Sequence, residues 1–270
     1  MTTPAQPEHP DRPVFRFEAE PVELRANTVL PARRSDVELH TQDGLTLVGE
    51  LALPIDKAPV ATLVTLHPLP THGGYMDSHV FRKASWRLPA LADIAVLRFN
   101  TRGTCSPRGC SEGAFDNGDG ERFDVQAAVD FVTEAALPNP WLVGWSFGTE
   151  LVLRYGAVDP VREHVNGGVL LSPPLHRAQD ADLVAWEASG MPLTALVPEW
   201  DDYLRPDKAA ERFGGAAPSA KVVGVDGAKH LWVGEKYVRR VHQEIVDAVL
   251  GAGAPTLATQ ASGSIGTMPS

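Results

Sequence analysis

Residues 144–148, with the sequence Gly-Trp-Ser-Phe-Gly, constrain the fold of this 270-residue chain more than any other segment. The apolar run 140–143 before them predicts a buried strand, and the pattern over residues 149–155 after them predicts a helix. A chain that turns directly from a strand into a helix crowds the residues on both sides of the turn. Glycine at both flanking positions removes the side chains that would clash there. The segment therefore predicts a sharp, strained turn that presents Ser146 at the end of a strand.

Strand and helix patterns alternate along the rest of the chain. A hairpin is predicted over residues 36–41 and 45–53, further strands over 60–67, 94–99, 168–171, 193–197 and 220–225, and helices over 122–133, 206–213 and 235–250. Such alternation is typical of a parallel sheet with right-handed crossovers. We therefore expect the α/β class and, within it, the α/β-hydrolase fold, a mostly parallel sheet flanked by helices, in which the Gly-x-Ser-x-Gly turn is the nucleophile elbow. Only a short insertion, about residues 173–191, stands where a larger protein of this fold carries a cap, so we expect a minimal cap.

The sequence divides into one domain and two terminal segments. Residues 35–250 carry the alternating pattern and are predicted to form the α/β-hydrolase domain. Residues 1–34 are rich in proline and predict a flexible N-terminal lead-in, with a strand near residues 14–17. Residues 251–270 contain glycine, alanine, serine and threonine without periodicity and predict a disordered tail.

Composition narrows the partners and the compartment. The formal net charge of −10 argues against nucleic acid or an anionic membrane as partner, and no apolar run is long enough to span a bilayer. Residues 1–13 lack the apolar region of a signal peptide, so a cytoplasmic location is expected. For that reason Cys105 and Cys110 are expected to be free thiols rather than a disulfide. The expected partner is a small-molecule ester substrate, and a homodimer is left open.

Two further residues are needed to make Ser146 a nucleophile. A serine hydroxyl reacts only when a histidine takes its proton and a carboxylate orients that histidine. In this fold the order along the chain is serine, acid, histidine. His230 lies in the loop between the last predicted strand and the last helix, so it is the predicted base.

The acid is expected just after the strand at residues 193–197. Glu199, Asp201 and Asp202 all lie there, and because neighbouring carboxylates repel each other, at most one should be buried against the histidine. Asp202 is favoured because it stands four residues before Pro206, which begins a helix. Asp201 is the reserve candidate.

An oxyanion hole requires backbone N–H groups that face the developing negative charge. Phe147, the residue after the nucleophile, is predicted to supply one from the N-terminus of its helix. The second is expected from the loop 67–74. Pro68 and Pro70 have no N–H group, so Leu69 between them is the predicted donor.

The same loop raises the question of a metal site. His67, His72 and His79 could be combined with Asp77 as metal ligands, but a proline- and glycine-rich loop that forms an oxyanion hole accounts for His67 and His72 without a metal. No metal and no cofactor is predicted.

Several motifs together resemble a family of small bacterial α/β-hydrolases related to dienelactone hydrolases. They are His-Pro-x-Pro-x-x-Gly-Gly-x-Met at residues 67–76, Arg-Phe-Asn-x-Arg-Gly at 98–103, Ser-Glu-Gly-x-Phe-Asp at 111–116, the elbow at 144–148, and Gly-Ala-Lys-His-Leu-Trp at 227–232. The resemblance covers about residues 36–250. This sequence departs from the family's usual histidine at the position of Leu69, and both terminal segments lie outside the family pattern.

The resemblance implies a serine hydrolase of esterase type. With the residues above, the prediction is cleavage of carboxylic esters of small or medium acyl groups by Ser146, His230 and Asp202 through an acyl-enzyme. Two alternatives are left open: hydrolysis of another acyl bond (lactone, thioester or peptide), and a catalytically silent binding or scaffold protein on the same fold. For the two arginines of the Arg-Phe-Asn-x-Arg-Gly motif, Arg98 and Arg102, a structural role is favoured over binding of an acidic substrate.

Overall fold

The computed structural model describes residues 13–268. Its strands are β1 (Val14–Glu23), β2 (Thr28–Val29), β3 (Arg33–His40), β4 (Thr46–Leu53), β5 (Ala61–Leu66), β6 (Ile94–Phe99), β7 (Cys105–Ser106), β8 (Gly109–Cys110), β9 (Pro140–Trp145), β10 (Gly168–Leu171), β11 (Leu193–Trp200), β12 (Lys221–Lys229) and β13 (Gln260–Thr267). Its helices are α1 (His79–Leu91), α2 (Glu121–Glu134), α3 (Phe147–Tyr155), α4 (Asp180–Ser189), α5 (Pro206–Ala216) and α6 (Glu235–Leu250).

An eight-stranded sheet forms the centre of the molecule, in the order β12-β11-β10-β9-β5-β6-β4-β3. The strands from β12 to β6 run parallel, and the hairpin β3–β4 joins them antiparallel through β4 and β6. Every residue of β5, β6, β9 and β10 is buried, as expected for apolar strands covered on both faces. The predicted α/β-hydrolase fold is confirmed.

Helices cover the sheet on both faces and enclose two apolar cores. One core contains buried residues of α2, α3, α4 and α5, and the other contains buried residues of α1 and α6. In a parallel sheet the carboxyl ends of all strands meet at one edge. The residues that follow β5, β9, β11 and β12 therefore come together at that edge.

The sequence pattern did not predict α1, because charged residues occupy its buried positions. Lys83 and Arg87 are both buried, and both form ion pairs with Glu235 on α6. The distance from Lys83 Nζ to Glu235 Oε2 is 2.9 Å. Pro89 lies inside the same helix. Charges buried in this way interrupt the apolar spacing by which a helix is normally recognised. The predicted short insertion contains one helix, α4, so the cap is small.

The prediction of a disordered tail over residues 251–270 was wrong for its last part. Gln260–Thr267 forms β13, which pairs with β1 and β2 in a separate three-stranded sheet. Ile265 from this strand is buried against Leu24 and Leu30. A strand of small residues gains its hydrogen bonds from a partner more than two hundred positions away, which local composition does not reveal. The expected strand near residues 14–17 lies within β1, and residues 1–12 of the expected lead-in lie outside the described residues.

The expectation of two free thiols was also wrong. Cys105 and Cys110 form a disulfide that closes the hairpin of β7 and β8. The two residues are direct cross-strand partners, which brings their side chains together. Among residues 13–268, no helix is both long and apolar enough to cross a membrane.

A buried histidine makes the stability of this fold depend on pH. His242 on α6 is 2 % exposed and donates to the carbonyl of Val80 at 3.0 Å, and burial lowers its pKa to about 4. Between about pH 6.5 and pH 4 the unfolded chain therefore binds a proton that the folded chain does not. We expect the free energy of unfolding to fall by about 3 kcal/mol over this range because of His242.

Denaturant unfolding of the variant His242→Gln between pH 7 and pH 4 measures this contribution, because glutamine keeps a donor but does not titrate. The control is His40→Gln at an exposed position. We expect the first variant to lose part of the pH dependence and the control to retain it. An unchanged pH dependence in His242→Gln would contradict the assignment.

Candidate active site

Ser146 occupies the sharp turn between β9 and α3. Its backbone has φ 52° and ψ −114°, a conformation that a non-glycine residue adopts only where the surroundings enforce it. The turn is fixed on both sides, since Ser146 N donates to Leu171 O at 2.9 Å and Thr149 N donates to Ser146 O at 2.9 Å. The side chain of Ser146 is partly exposed, whereas its neighbours in the turn are buried.

The two glycines of the elbow are required by close contacts. A Cβ atom on Gly144 would lie 2.4 Å from the carbonyl oxygen of Gly148. A Cβ atom on Gly148 would lie 1.9 Å from the carbonyl oxygen of Leu66, at the end of β5. Helix α3 therefore begins in direct contact with the backbone of β5.

His230 lies directly after β12 and contacts Ser146. Its Nε2 atom is 2.9 Å from Ser146 Oγ, and its ring is buried, with 8 % of the residue exposed. The backbone is held in place as well, because His230 O accepts hydrogen bonds from Trp145 Nε1 at 3.2 Å and Ser172 Oγ at 3.0 Å. The ring of Tyr203 packs edge-on against the imidazole at 4.7 Å between centroids.

The carboxylate that contacts His230 belongs to Asp201, so the choice of Asp202 was wrong. Asp201 is 3 % exposed, and its Oδ2 atom lies 2.9 Å from His230 Nδ1. Its other oxygen, Oδ1, accepts from the backbone N–H of Tyr203 at 2.9 Å and of Leu204 at 3.3 Å. Asp202 is exposed.

The end of the strand decides which acid is buried. Asp201 is the first residue after β11, and a turn begins there with Asp201 N donating to Pro198 O at 3.2 Å. Asp202 was predicted from its distance to Pro206 at the start of α5, and that distance does not fix the end of β11. The expectation that only one neighbouring carboxylate turns inward agrees with the structure.

Phe147 and Leu69 lie where the sequence placed them, at the start of α3 and in the loop after β5. Among the described residues, neither N–H group has an intramolecular acceptor. For Phe147 this follows from its position, because the first N–H groups of a helix have no partner within it. Both N–H groups can therefore donate to a further acceptor.

A buried histidine holds the loop that carries Leu69. His67 Nε2 accepts from Thr101 N at 3.0 Å, so the ring proton is on Nδ1, which donates to Pro68 O at 2.7 Å. Burial lowers the pKa of His67 to about 4, and this keeps the ring neutral. At Gly74 a Cβ atom would lie 2.1 Å from Pro68 O, so the loop closes tightly on itself.

The other residues considered as metal ligands have other contacts. His79 Nε2 lies 3.3 Å from Trp232 O, and Asp77 pairs with Arg98. Arg98 is fully buried and also lies 2.5 Å from Glu50. Arg102 pairs with Asp43 and Asp124, each at 2.8 Å. The two arginines of the Arg-Phe-Asn-x-Arg-Gly motif thus tie strands, a helix and loops together through ion pairs, which agrees with the structural role expected for them. Within residues 13–268 no cluster of three or more metal-ligating side chains is present.

Glu150, which was not among the predicted site residues, positions the loop after β10. Glu150 is fully buried, and its carboxylate accepts from the backbone N–H groups of His176 (2.8 Å), Arg177 (3.0 Å) and Ala178 (2.5 Å). The available signal was an acidic residue in the otherwise apolar first turns of α3. A carboxylate in that position requires several donors, since burying an unpaired charge is costly.

Comparison with known proteins shows the family to which the chain belongs. The model of the alpha/beta hydrolase fold family matches residues 70–209, just over half of the chain, and the protein therefore belongs to that family. An uncharacterized protein of Rickettsia prowazekii is 34% identical over 133 residues, which make up 47% of this chain and 50% of that protein. The chain thus spans about half the length of this curated relative.

Solved structures of other proteins have the same fold as this chain. An α/β serine hydrolase without a lid from Xanthomonas campestris is similar over 82% of this chain and 96% of its own, with 22% identity and a TM-score of 0.66. An esterase from Pyrococcus furiosus is similar over 81% of this chain and 92% of its own, with 18% identity and a TM-score of 0.64. At these identities the similarity concerns the fold alone.

The contact between α3 and β5 makes Gly148 a sensitive position. We expect Gly148→Ala to destabilise the protein by about 2 kcal/mol or more, because the new methyl group must displace the carbonyl of Leu66. The matched control is Gly214→Ala in α5, where a Cβ atom meets no other atom within 4 Å. Alanine favours a helix by up to about 1 kcal/mol over glycine, so this control should be neutral or stabilising. Denaturant unfolding compares the two, and equal stabilities would contradict the close contact.

Proposed function

We propose that the protein is a serine hydrolase that cleaves carboxylic esters of small or medium acyl groups through an acyl-enzyme. The observation that carries this proposal is the continuous chain of contacts from Ser146 Oγ through His230 to the buried Asp201, with 2.9 Å at both steps. This geometry joins a nucleophile, a base and an orienting acid, which is the arrangement that activates a serine hydroxyl.

In the first half of the reaction, Ser146 Oγ attacks the ester carbonyl carbon and its proton passes to His230 Nε2. Asp201 holds the Nδ1 proton, so Nε2 is the basic nitrogen and the resulting imidazolium is stabilised. The carbonyl oxygen becomes an oxyanion, which the N–H groups of Phe147 and Leu69 stabilise. The tetrahedral intermediate then collapses, the C–O bond to the alcohol breaks, and His230 gives its proton to the leaving oxygen.

In the second half, water replaces the alcohol. His230 takes a proton from water as the hydroxide oxygen bonds to the acyl carbon, and the oxyanion forms again in the same place. Collapse breaks the bond to Ser146 Oγ, which recovers the proton from His230 and leaves the carboxylic acid as product. The balance requires only ester and water, so no cofactor takes part.

The surroundings of the site support an apolar acyl or alcohol group of modest size. Four exposed apolar side chains flank the catalytic loops: Trp200 (48 %) and Tyr203 (57 %) beside Asp201, and Leu231 (55 %) and Val233 (70 %) beside His230. In the described residues the insertion between β10 and β11 contributes only α4 as a cover. We infer an open site that accepts small-molecule esters.

A second candidate reaction is hydrolysis of a lactone. The motif at residues 67–76 resembles that of relatives of dienelactone hydrolases, and the same residues would open a cyclic ester by the same steps. A silent scaffold is disfavoured, because the geometry of all three reactive groups is complete.

The role of Ser146 can be tested with a fluorophosphonate probe, which reacts covalently with activated serines. We expect labelling of the full-length protein and its complete loss in Ser146→Ala. Thr149→Ser in the same turn keeps the hydroxyl that donates to Ser146 O and is the matched control, which should label normally. A folded wild-type protein that is not labelled would overturn the proposal.

The assignment of the acid can be tested by comparing Asp201→Asn with Asp202→Asn on a short-chain ester. We expect the first variant to lower kcat by roughly 10²–10⁴, because the amide cannot hold the Nδ1 proton in the same way. Asp202→Asn makes the same aspartate-to-asparagine change at the exposed neighbouring residue and should behave like wild type. A larger loss in Asp202→Asn would show that the structure assigns the wrong carboxylate.

A further inference from the structure

A cavity lies between α1, β3 and the β7–β8 hairpin. Its volume is about 280 Å³, and none of Ser146, Asp201 and His230 lines it. Three arginines face it from different elements: Arg34 on β3, Arg82 on α1 and Arg108 in the hairpin. The cavity is thus lined by several guanidinium groups, although the formal net charge of the chain is −10.

Arg34 has no carboxylate partner among the described residues. Its Nη2 atom donates to two backbone carbonyls, Leu30 O at 3.1 Å and Ser85 O at 3.0 Å, which fix the side chain in place. Its Nε atom is buried without a hydrogen-bond partner in that part of the chain. Burial lowers the pKa of Arg34 to about 10; the nearby Glu50 carboxylate raises this pKa, and the positive charges of Arg98 and Arg108 lower it further. Glu50 therefore stabilises the positive charge of Arg34 less than burial and the neighbouring arginines destabilise it.

Arg82 also lacks an ion pair within residues 13–268. Its guanidinium lies over the ring of Trp86, 5.0 Å from the centroid, and this stacking orients it along the cavity wall. Its Nε atom is buried and has no partner there. A guanidinium has five N–H donors, so Arg82 retains unused capacity for an anion.

The carboxylates nearby are already occupied by other arginines. Asp36 lies 2.5 Å from Arg108, Asp77 pairs with Arg98, and Glu50 is shared between Arg98 and Arg108. In the described part of the chain, the cluster therefore contains three carboxylates and four guanidinium groups, those of Arg34, Arg82, Arg98 and Arg108. Within residues 13–268, the positive charges of this cluster thus exceed its negative charges by one.

The rest of the lining includes two carboxylates, Asp36 and Asp77, each already paired with an arginine, and several apolar or aromatic residues. Val29 from β2, Tyr75 from the loop before α1, Trp86 and Pro107 line the cavity together with the arginines. Inorganic phosphate would leave these surfaces without a contact. An anion that carries a compact apolar body would use both parts of the cavity.

We propose that this cavity binds a small organic carboxylate, with its carboxylate between Arg34 and Arg82 and its apolar body against Trp86 and Val29. A single negative charge matches the excess of one positive charge in the cluster within residues 13–268, and arginine is well suited to a planar carboxylate. Val29 and Arg34 lie outside the family match at residues 70–209, so the site depends on the N-terminal part of this chain. It is independent of the function proposed for Ser146.

Titration calorimetry of the full-length protein at low salt tests the proposal with phenylpropanoate as the probe. We expect one phenylpropanoate to bind per chain, and both the neutral phenylpropanamide and inorganic phosphate to bind at least about tenfold more weakly. Arg82→Gln should weaken phenylpropanoate binding by about tenfold or more, and Arg82→Lys by less, since lysine keeps the charge.

The matched control is Arg122→Gln, which removes an exposed arginine that stacks on Phe123 at 4.4 Å and does not line the cavity. It should bind phenylpropanoate like wild type, and thermal unfolding verifies that each variant is folded. No binding at millimolar phenylpropanoate, equal binding of the amide or of phosphate, or unchanged affinity in a folded Arg82→Gln would each overturn the proposal.

Discussion

The contact between the first turn of α3 and the end of β5 is the constraint on which the rest of the site depends. Gly148 meets the carbonyl of Leu66 with no room for a side chain, and this contact holds Ser146 in its strained backbone conformation. The loop with Leu69 begins directly after Leu66, so the same contact brings the start of that loop next to the N-terminus of α3. One steric requirement thus sets the nucleophile and the start of α3 against the end of β5.

Around this contact, buried polar groups fix the loops that carry the reactive side chains. Asp201 uses one carboxylate oxygen for His230 and the other for its own turn. Glu150 holds the loop after β10, and the neutral ring of His67 holds the loop with Leu69. Burying a polar group costs free energy unless the group forms hydrogen bonds. Each of these residues therefore favours the single loop conformation in which its hydrogen bonds are made. The strained elbow is therefore supported by rigid neighbours.

Much of this arrangement could be predicted, because its signals are local. The elbow, the central strands and the position of His230 follow from short apolar runs and from glycines beside Ser146. The features that were missed depend on distant partners: α1 buries charges that pair with Glu235 on α6, and β13 needs β1. The choice between Asp201 and Asp202 failed for a related reason. It depends on where β11 ends, and strand ends are the least certain part of a sequence-based assignment.

The central claim, that Ser146 becomes acylated during turnover, can be tested directly by trapping the intermediate. An activated ester would be mixed with the enzyme, the reaction quenched in acid within the first turnover, and the digested protein analysed by mass spectrometry. The structure predicts an acyl group on the peptide that contains Ser146, and an initial burst of alcohol that matches the enzyme concentration. Turnover without a covalent acyl group, or with the acyl group on another residue, would contradict it.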